Sequence, residues 1–318
     1  MSSAAAERWA KARSFHHSRF PAERIAAERE HSVSVCLPAR ECAETVGQIV
    51  GALLALREVG AIDEVVVVDA DSADGTAAVA ERAGAVVWQE GELMPAFGPV
   101  LGKGDAMWRA LSVLDGELVC FLDADTEGFS AHFAAGLLGP LVCESGVSFV
   151  KGFYRRPFGE GAAADAAGGG RVSREGGGRV NHLTARPALE LFYPELAEVR
   201  QPLAGEVAAR RELLEALPFA TGYGVEIAML IDMWREVGLD GVAQVDLDEH
   251  RNRHQPLSAL TPMAATVLAT ISGRLQREGR LQGFDGGPVE RPPLASVHET
   301  VREGGVGIRS ALAPRESA

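Results

Sequence analysis

The sequence lacks the marks of several large protein classes. No uncharged apolar run approaches the ~18 residues of a membrane-spanning helix. The N-terminal stretch, with Arg8, Lys11, Arg13, His16, His17 and Arg19, has no apolar core of a secretion signal. The expectation is a cytoplasmic protein with no membrane span. Positive charge is also short: a formal net charge of −13 argues against a general binder of nucleic acid or of anionic membrane. The four cysteines, Cys36, Cys42, Cys120 and Cys143, show no Cys-x-x-Cys spacing, so buried reduced thiols are expected rather than zinc or disulfides. The Gly-x-x-x-x-Gly-Lys-Ser/Thr of a P-loop and the Gly-x-Gly-x-x-Gly of a dinucleotide fold are both missing. What remains is a chain of 318 residues, 47% apolar and 24% charged, able to build a large α/β enzyme domain with an appendage.

The pattern along the chain alternates short apolar runs with helical spacing. Ser32 to Leu37 reads as a strand ended by Pro38, which lacks a ladder donor. Apolar residues at 46, 49, 50, 53, 54 and 56 predict a helix. Glu64 to Asp69 is a second buried strand, Asp71 to Thr76 supplies turn and cap chemistry for a helix over 77–83, and Ala85 to Gln89 is a third strand. This order predicts a doubly wound sheet. A long loop, 90–101, leads to Gly102-Lys103-Gly104-Asp105, which opens a helix over 106–114, and Val119 to Leu122 forms the next strand. Later strands are expected at 147–154 and 242–247, and a helix at 258–278. The glycine- and alanine-rich stretch 159–178 reads as mobile, and the proline-rich tail from Gly283 as loosely held. The expected organisation is a polar leader (1–31), a first α/β half (32–147), a second half (148–255) and a C-terminal helix with tail (256–318).

Chemistry concentrates where strands end. Asp123 and Asp125 close a buried strand, and buried carboxylates are costly unless something pairs with them, so a hard cation completed by a phosphate ligand is the reading. Lys103 between two glycines at a helix start makes an anion site. From Lys151 to Arg186 seven Lys or Arg face three acids, a local +4 that leaves −17 on the rest. Such an island suits an anionic substrate. Glu226 follows the glycine-rich Thr221-Gly222-Tyr223-Gly224 at a helix start, where capping alone could explain it. His250, in the run Asp246 to His254, is a metal-ligand candidate beside further acids.

In their order these features resemble a nucleotide-sugar glycosyltransferase of the GT-A fold. The residues that carry the likeness are Leu37-Pro38-Ala39-Arg40-Glu41, Val68-Asp69-Ala70-Asp71-Ser72-Ala73-Asp74-Gly75-Thr76, Gly102-Lys103-Gly104 and Asp123-Ala124-Asp125. Residues 32–280 more narrowly resemble the glucosyl-3-phosphoglycerate synthase family of actinobacteria. That likeness rests on Gly102 to Trp108, Phe149 to Pro157, Gly176 to Val180, Thr221 to Glu226 and His250 to His254. The resemblance implies a Rossmann-like nucleotide-binding half with a central mixed, mostly parallel sheet, and an acceptor-binding C-terminal half. It further implies transfer of glucose from UDP-glucose to the 2-hydroxyl of 3-phosphoglycerate, with retention, opening methylglucose lipopolysaccharide synthesis.

Carried over residue by residue, Pro38, Ala39, Glu41 and Ser72 hold the uridine, Lys103 the diphosphate or sugar, and Asp123 the ribose or sugar. Asp125 and His250 bind Mg²⁺, with Mn²⁺ or Co²⁺ as substitutes. Tyr223 and Glu226 line the glucose, while Arg179, Asn181, Asn252 and Arg253 hold the phosphoglycerate. Asn181 stands where the family carries threonine, and both can hydrogen-bond an anion's oxygen. The resemblance also implies a homodimer. No residue stands out as a general base, which favours front-face attack with proton transfer to the leaving phosphate; Glu226 as a transient nucleophile stays open. The alternatives are a mannosyl-3-phosphoglycerate synthase using GDP-mannose and a non-catalytic nucleotide-sugar sensor.

Overall fold

Alternate residues of the central strands enter different cores: Val65 and Val67 pack into one, Val66 and Val68 into the other. A strand buried on both faces must be apolar throughout, which is why these runs do not alternate with polar residues. The computed structural model describes residues 4–156, 178–251 and 256–297. Its strands are β1 (Ser14–His16), β2 (Val33–Ala39), β3 (Glu64–Asp69), β4 (Val86–Gln89), β5 (Leu118–Phe121), β6 (Phe149–Arg155), β7 (Val207–Arg210), β8 (Phe219–Ala220), β9 (Val242–Glu249) and β10 (Glu290–Arg291). Eight of them form one sheet in the order β1-β9-β6-β7-β5-β2-β3-β4, and β8 pairs with β10 apart from it. β7 runs antiparallel to both neighbours, β5 and β6, and the other pairings in the large sheet are parallel. This is the expected mixed, mostly parallel α/β architecture.

Two expectations, the strand end at Pro38 and the loosely held tail, need correction. Pro38 lies inside β2, opposite Val68, rather than ending it. Cys36 O accepts from Leu122 N–H on the β5 side while Ala39 O accepts from Ala70 N–H on the β3 side, so position 38 faces β5. Pairing with β5 stops at Cys36 opposite Phe121, so the missing N–H of Pro38 costs no ladder bond.

Residues 1–31 are built into the fold wherever they are described. Trp9, in helix Ala4–Arg13, donates from Nε1 to Val242 O at 2.7 Å, and β1 adds an edge strand parallel to β9. The tail is tied down at least to residue 297. Arg291 places Nε 2.7 Å from Asp105 Oδ1 and a terminal nitrogen 2.6 Å from Oδ2, Trp108 Nε1 donates to Pro292 O at 2.9 Å, and Leu294 is fully buried. Burial alone would raise the Asp105 carboxyl, but Arg291 and Arg109 outweigh it and hold the pKa down. The paired charge makes this buried anchor tolerable. The expected mobile stretch 159–178 lies outside the described residues except at Gly178.

Candidate active site

The candidate residues of the nucleotide and metal groups, among the described residues, gather at one end of the sheet. The carboxyl ends of β2, β3, β5, β6 and β9 point there. Because β7 is antiparallel, its beginning, with Ala204, Gly205 and Glu206, arrives at the same end. A crevice at the carboxyl ends of parallel strands is where open α/β sheets bind ligands.

On the β2–β3 side the backbone forms a shelf. Glu41 and Asp71 adopt left-handed φ values of 55° and 53°, costly for residues with side chains. Crossing hydrogen bonds hold them: Glu41 N–H donates to Ser72 Oγ at 2.9 Å, and Ala73 N–H to Glu41 Oε1 at 2.8 Å. Pro38, Ala39, Glu41 and Ser72 are thus brought together. Asp69, buried beneath them, accepts from Ser72 N–H through Oδ2 at 3.0 Å, while Oδ1 has no partner.

Lys103 is the hub of the centre. Helix Lys103–Ala110 begins tight against β8, and a Cβ on Gly104 would sit 2.0 Å from Ala220 O, so glycine is needed there. Lys103 Nζ lies 2.5 Å from Asp123 Oδ1 and 2.9 Å from Glu226 Oε1. Burial alone would lower its pKa, but the two carboxylates outweigh that and raise it well above the ordinary lysine value. Gly205 lets this cluster close, since a Cβ there would fall 2.3 Å from Asp123 Oδ1 and 2.6 Å from Lys103 Nζ. Tyr223 stands half exposed two residues before helix Val225–Val237, on whose first turn Glu226 is buried.

His250 lies on the other side, 1% exposed. Its ring stacks on Tyr154 with centroids 4.4 Å apart. Nε2 faces Glu206 Oε1 at 2.9 Å and Thr126 Oγ1 at 3.0 Å, and Nδ1 is buried without a partner. A carboxylate on one ring nitrogen orients the other toward a metal, so the orphaned Nδ1 fits a cation ligand. The turn carrying Asp125 is pinned to this segment: Glu127 N–H donates to Arg251 O at 2.9 Å. Asp125 is open to water in the crevice, yet the surrounding protein and Asp123 raise its pKa, with His250 and Lys103 opposing. Asp123, Glu206 and His250 each offer a ligand atom within 4.8 Å of the others, although Lys103 already occupies Asp123.

The acceptor side is partly described. Arg179 opens a helical stretch that continues through a π-helical turn, Asn181–Ala185. Asn181 is buried and donates from Nδ2 to Arg200 O at 3.2 Å, which uses one of its two amide N–H groups, while Oδ1 has no partner. The adjoining Gln201 donates to Tyr154 O at 2.5 Å, which links this region to the histidine. Asn252 and Arg253, and Arg171 and Arg174 of the basic island, lie outside the described residues.

Sequence reasoning missed Glu206, Tyr154 and Lys151. Tyr154 donates to Glu206 Oε2 at 2.8 Å and is contacted by Arg156 at 3.1 Å. Burial alone would raise the Glu206 carboxyl; His250, Arg156 and Tyr154 reverse that and hold it far below the carboxylate range. Lys151, counted in the basic island, is instead fully buried in β6, donates to Ala204 O at 2.7 Å and is pushed down to about 8 by burial. A lone acid after Ala204-Gly205 matches no motif; only the unpaired cost of a lysine in an apolar strand, Phe149 to Phe153, hinted at a buried acid opposite.

Comparisons with known proteins bear on this geometry. Residues 34–132 match the family described as glycosyl transferase family 2. The glucosyl-3-phosphoglycerate synthase of Mycolicibacterium smegmatis is 42% identical over 276 residues, covering 86% of this chain and 88% of that protein. Among solved structures, the mannosyl-3-phosphoglycerate synthase of Rubrobacter xylanophilus is 44% identical, with 93% of this chain and 99% of that chain covered and a TM-score of 0.83. The glucosyl-3-phosphoglycerate synthase of Mycobacterium tuberculosis, in complex with Mn²⁺, UDP-glucose and phosphoglyceric acid, is 37% identical over 87% of this chain and 95% of that chain, with a TM-score of 0.74.

Proposed function

The chain belongs to the glucosyl-3-phosphoglycerate synthase family of GT-A-fold glycosyltransferases, and we propose that it moves glucose from UDP-glucose to the 2-hydroxyl of 3-phosphoglycerate, with retention at the anomeric carbon. The observation that carries this reading is the buried His250, one ring nitrogen set against Glu206 and the other without a partner, beside the carboxylates at the end of β5 and the doubly paired Lys103. A site that both holds a cation and supplies a protonated lysine is suited to a departing diphosphate.

In this reading Pro38, Ala39, Glu41 and Ser72 hold the uridine on the β2–β3 shelf. Asp125 and His250 hold Mg²⁺, with Mn²⁺ or Co²⁺ able to substitute; when bound, the cation neutralises charge on the leaving diphosphate. Lys103, kept protonated by Asp123 and Glu226, adds positive charge on the same side. Asp123 orients the ribose or sugar, and Tyr223 packs against the glucose. Glu226 is engaged by Lys103 at 2.9 Å, which suits an anion that positions the sugar during front-face attack better than a free nucleophile. Arg179 and Asn181, with Asn252 and Arg253, receive the phosphoglycerate, arginine being matched to carboxylate and phosphate by its planar fork. Helix Leu257–Arg277 leaves Leu257 and Leu268 exposed and is assigned to a homodimer contact.

A second reading, a mannosyl-3-phosphoglycerate synthase using GDP-mannose, draws on the Rubrobacter xylanophilus neighbour. One assay separates the readings: nucleotide release with UDP-glucose or GDP-mannose, repeated without phosphoglycerate and without divalent cation. Release from UDP-glucose that needs both other components is expected. Faster release from GDP-mannose would move the assignment to the mannosyl enzyme, and release independent of phosphoglycerate would overturn the acceptor. Metal-dependent donor binding with no product would indicate a sensor.

A further inference from the structure

At the β1 edge of the sheet two consecutive histidines meet the end of β9. His17 Nε2 lies 2.7 Å from Asp248 Oδ2, and His16 Nε2 lies 3.4 Å from Asp248 Oδ1. One ligand atom from each of the three residues lies within 4.8 Å of the others. None of the three belongs to the catalytic assignment. The backbone commits itself to this meeting: Asp248 adopts a left-handed φ of 66°, and its N–H is caught by Asp246 Oδ1 at 3.0 Å.

The surroundings orient the imidazoles. The Ser18 N–H donates to His16 Nδ1 at 3.3 Å, which leaves the proton of the neutral ring on Nε2, facing Asp248. A cation taken up at Nε2 would send that proton to Nδ1, where the Ser18 hydroxyl, 2.8 Å away, can accept it. His132 stacks on His17 with ring centroids 4.2 Å apart and has its own nitrogens engaged, Nδ1 with Ser130 Oγ at 2.9 Å and Nε2 with Leu247 O at 3.1 Å. It serves as a wall. Arg155 reaches Asp248 Oδ1 at 3.2 Å from an exposed position and is free to swing into water when a cation arrives.

We propose that His16, His17 and Asp248 form a second divalent-metal site, of the zinc class, that staples the N-terminal strand β1 to the end of β9. Two imidazoles and one carboxylate suit zinc, with water as the fourth ligand, whereas Mg²⁺ prefers an oxygen shell. The site therefore takes a different ion from the one assigned to catalysis. Asp248 stands two residues before His250, so the staple fastens the strand end that carries the catalytic histidine.

The test measures zinc content and melting temperature of the full chain, after dialysis against limiting Zn²⁺ in excess Mg²⁺, for wild type and for His16→Ala/His17→Ala. The expected result is one fewer zinc per chain in the double variant, and a zinc-induced rise in melting temperature in the wild type alone. If the double variant does not fold, His16→Ala, at an exposed position, is expected to bind zinc at least ten times more weakly. Equal zinc content and equal melting shifts in wild type and variants would overturn the proposal, as would zinc lost on Asp125→Ala alone. Neither readout depends on glycosyl transfer, so failure here is distinguishable from failure of the proposed function.

Discussion

The two sides of the crevice are built by different means. On the β2–β3 side, the contacts join Glu41, Ser72 and Ala73, and they are made largely by backbone N–H groups on exposed turns. On the β6–β9 side, Tyr154, Glu206 and His250 converge from three strands and meet in a buried cluster of charge. A turn can hold a ligand through its own peptide groups, whereas a metal ligand needs a partner that fixes its tautomer and orientation, and that partner must come from elsewhere in the fold. The shelf should therefore tolerate change, and the buried cluster should not.

The largest effects test that contrast directly. Asp125→Ala is expected to lose about 10²–10³-fold in kcat/KM, the scale of removing one key electrostatic contact, with an unchanged melting temperature because Asp125 is exposed. His250→Ala should lose at least as much activity and about 3 kcal/mol of stability, since Glu206 is then a buried charge without its partner. Glu206→Gln, which keeps the shape, should weaken divalent-metal affinity about 10–100-fold. Steady-state kinetics, metal titration and denaturant melts read these effects. Near wild-type turnover of Asp125→Ala at saturating Mg²⁺ would remove the metal assignment.

The same contrast explains what could be read from the sequence. The Asp-x-Asp after β5, Gly102-Lys103-Gly104 and the turn 71–76 are local: each motif contains both the functional residue and the glycine or turn chemistry that positions it. Glu206 is not local. It matters because an antiparallel strand, β7, enters between two parallel ones and starts at the ligand end, a pairing that hydrophobic period alone does not encode. Pro38 misled for the related reason that its cost depends on whether the β5 neighbour is still paired. The tail read as loose because its anchors are long-range side-chain contacts, Arg291 to Asp105 and Trp108 to Pro292, rather than a periodic face.

A smaller effect probes the electrostatics of the buried side. Lys151 has its pKa pushed from 10.5 to about 8 by burial, with Glu226 and Glu206 opposing. Between these values the unfolded chain holds a proton that the folded chain has released, so unfolding takes up a proton and stability rises with pH. Below about 8 both states are protonated and the contribution is flat. Relative to Lys151→Met, the wild type should gain about 3 kcal/mol between pH 8 and 10.5, measured by urea melts of both proteins across that range. A constant difference would mean that Lys151 keeps its charge, and the cluster would then hold one more cation than its geometry suggests.

The smallest effect belongs to the shelf. Asp71 is exposed with φ of 53°, and its N–H contacts Gln89 Oε1 at 3.2 Å through the backbone alone. Asp71→Gly relieves the left-handed backbone but frees the unfolded chain, two terms of similar size and opposite sign, so stability should stay within about 0.5 kcal/mol. Asp71→Ala keeps the strain and loses aspartate's tolerance of it, and should cost about 1 kcal/mol. If both variants instead lost donor affinity by tenfold or more at unchanged stability, the Asp71 side chain would be a ligand contact, and the shelf would depend on side chains as the buried side does.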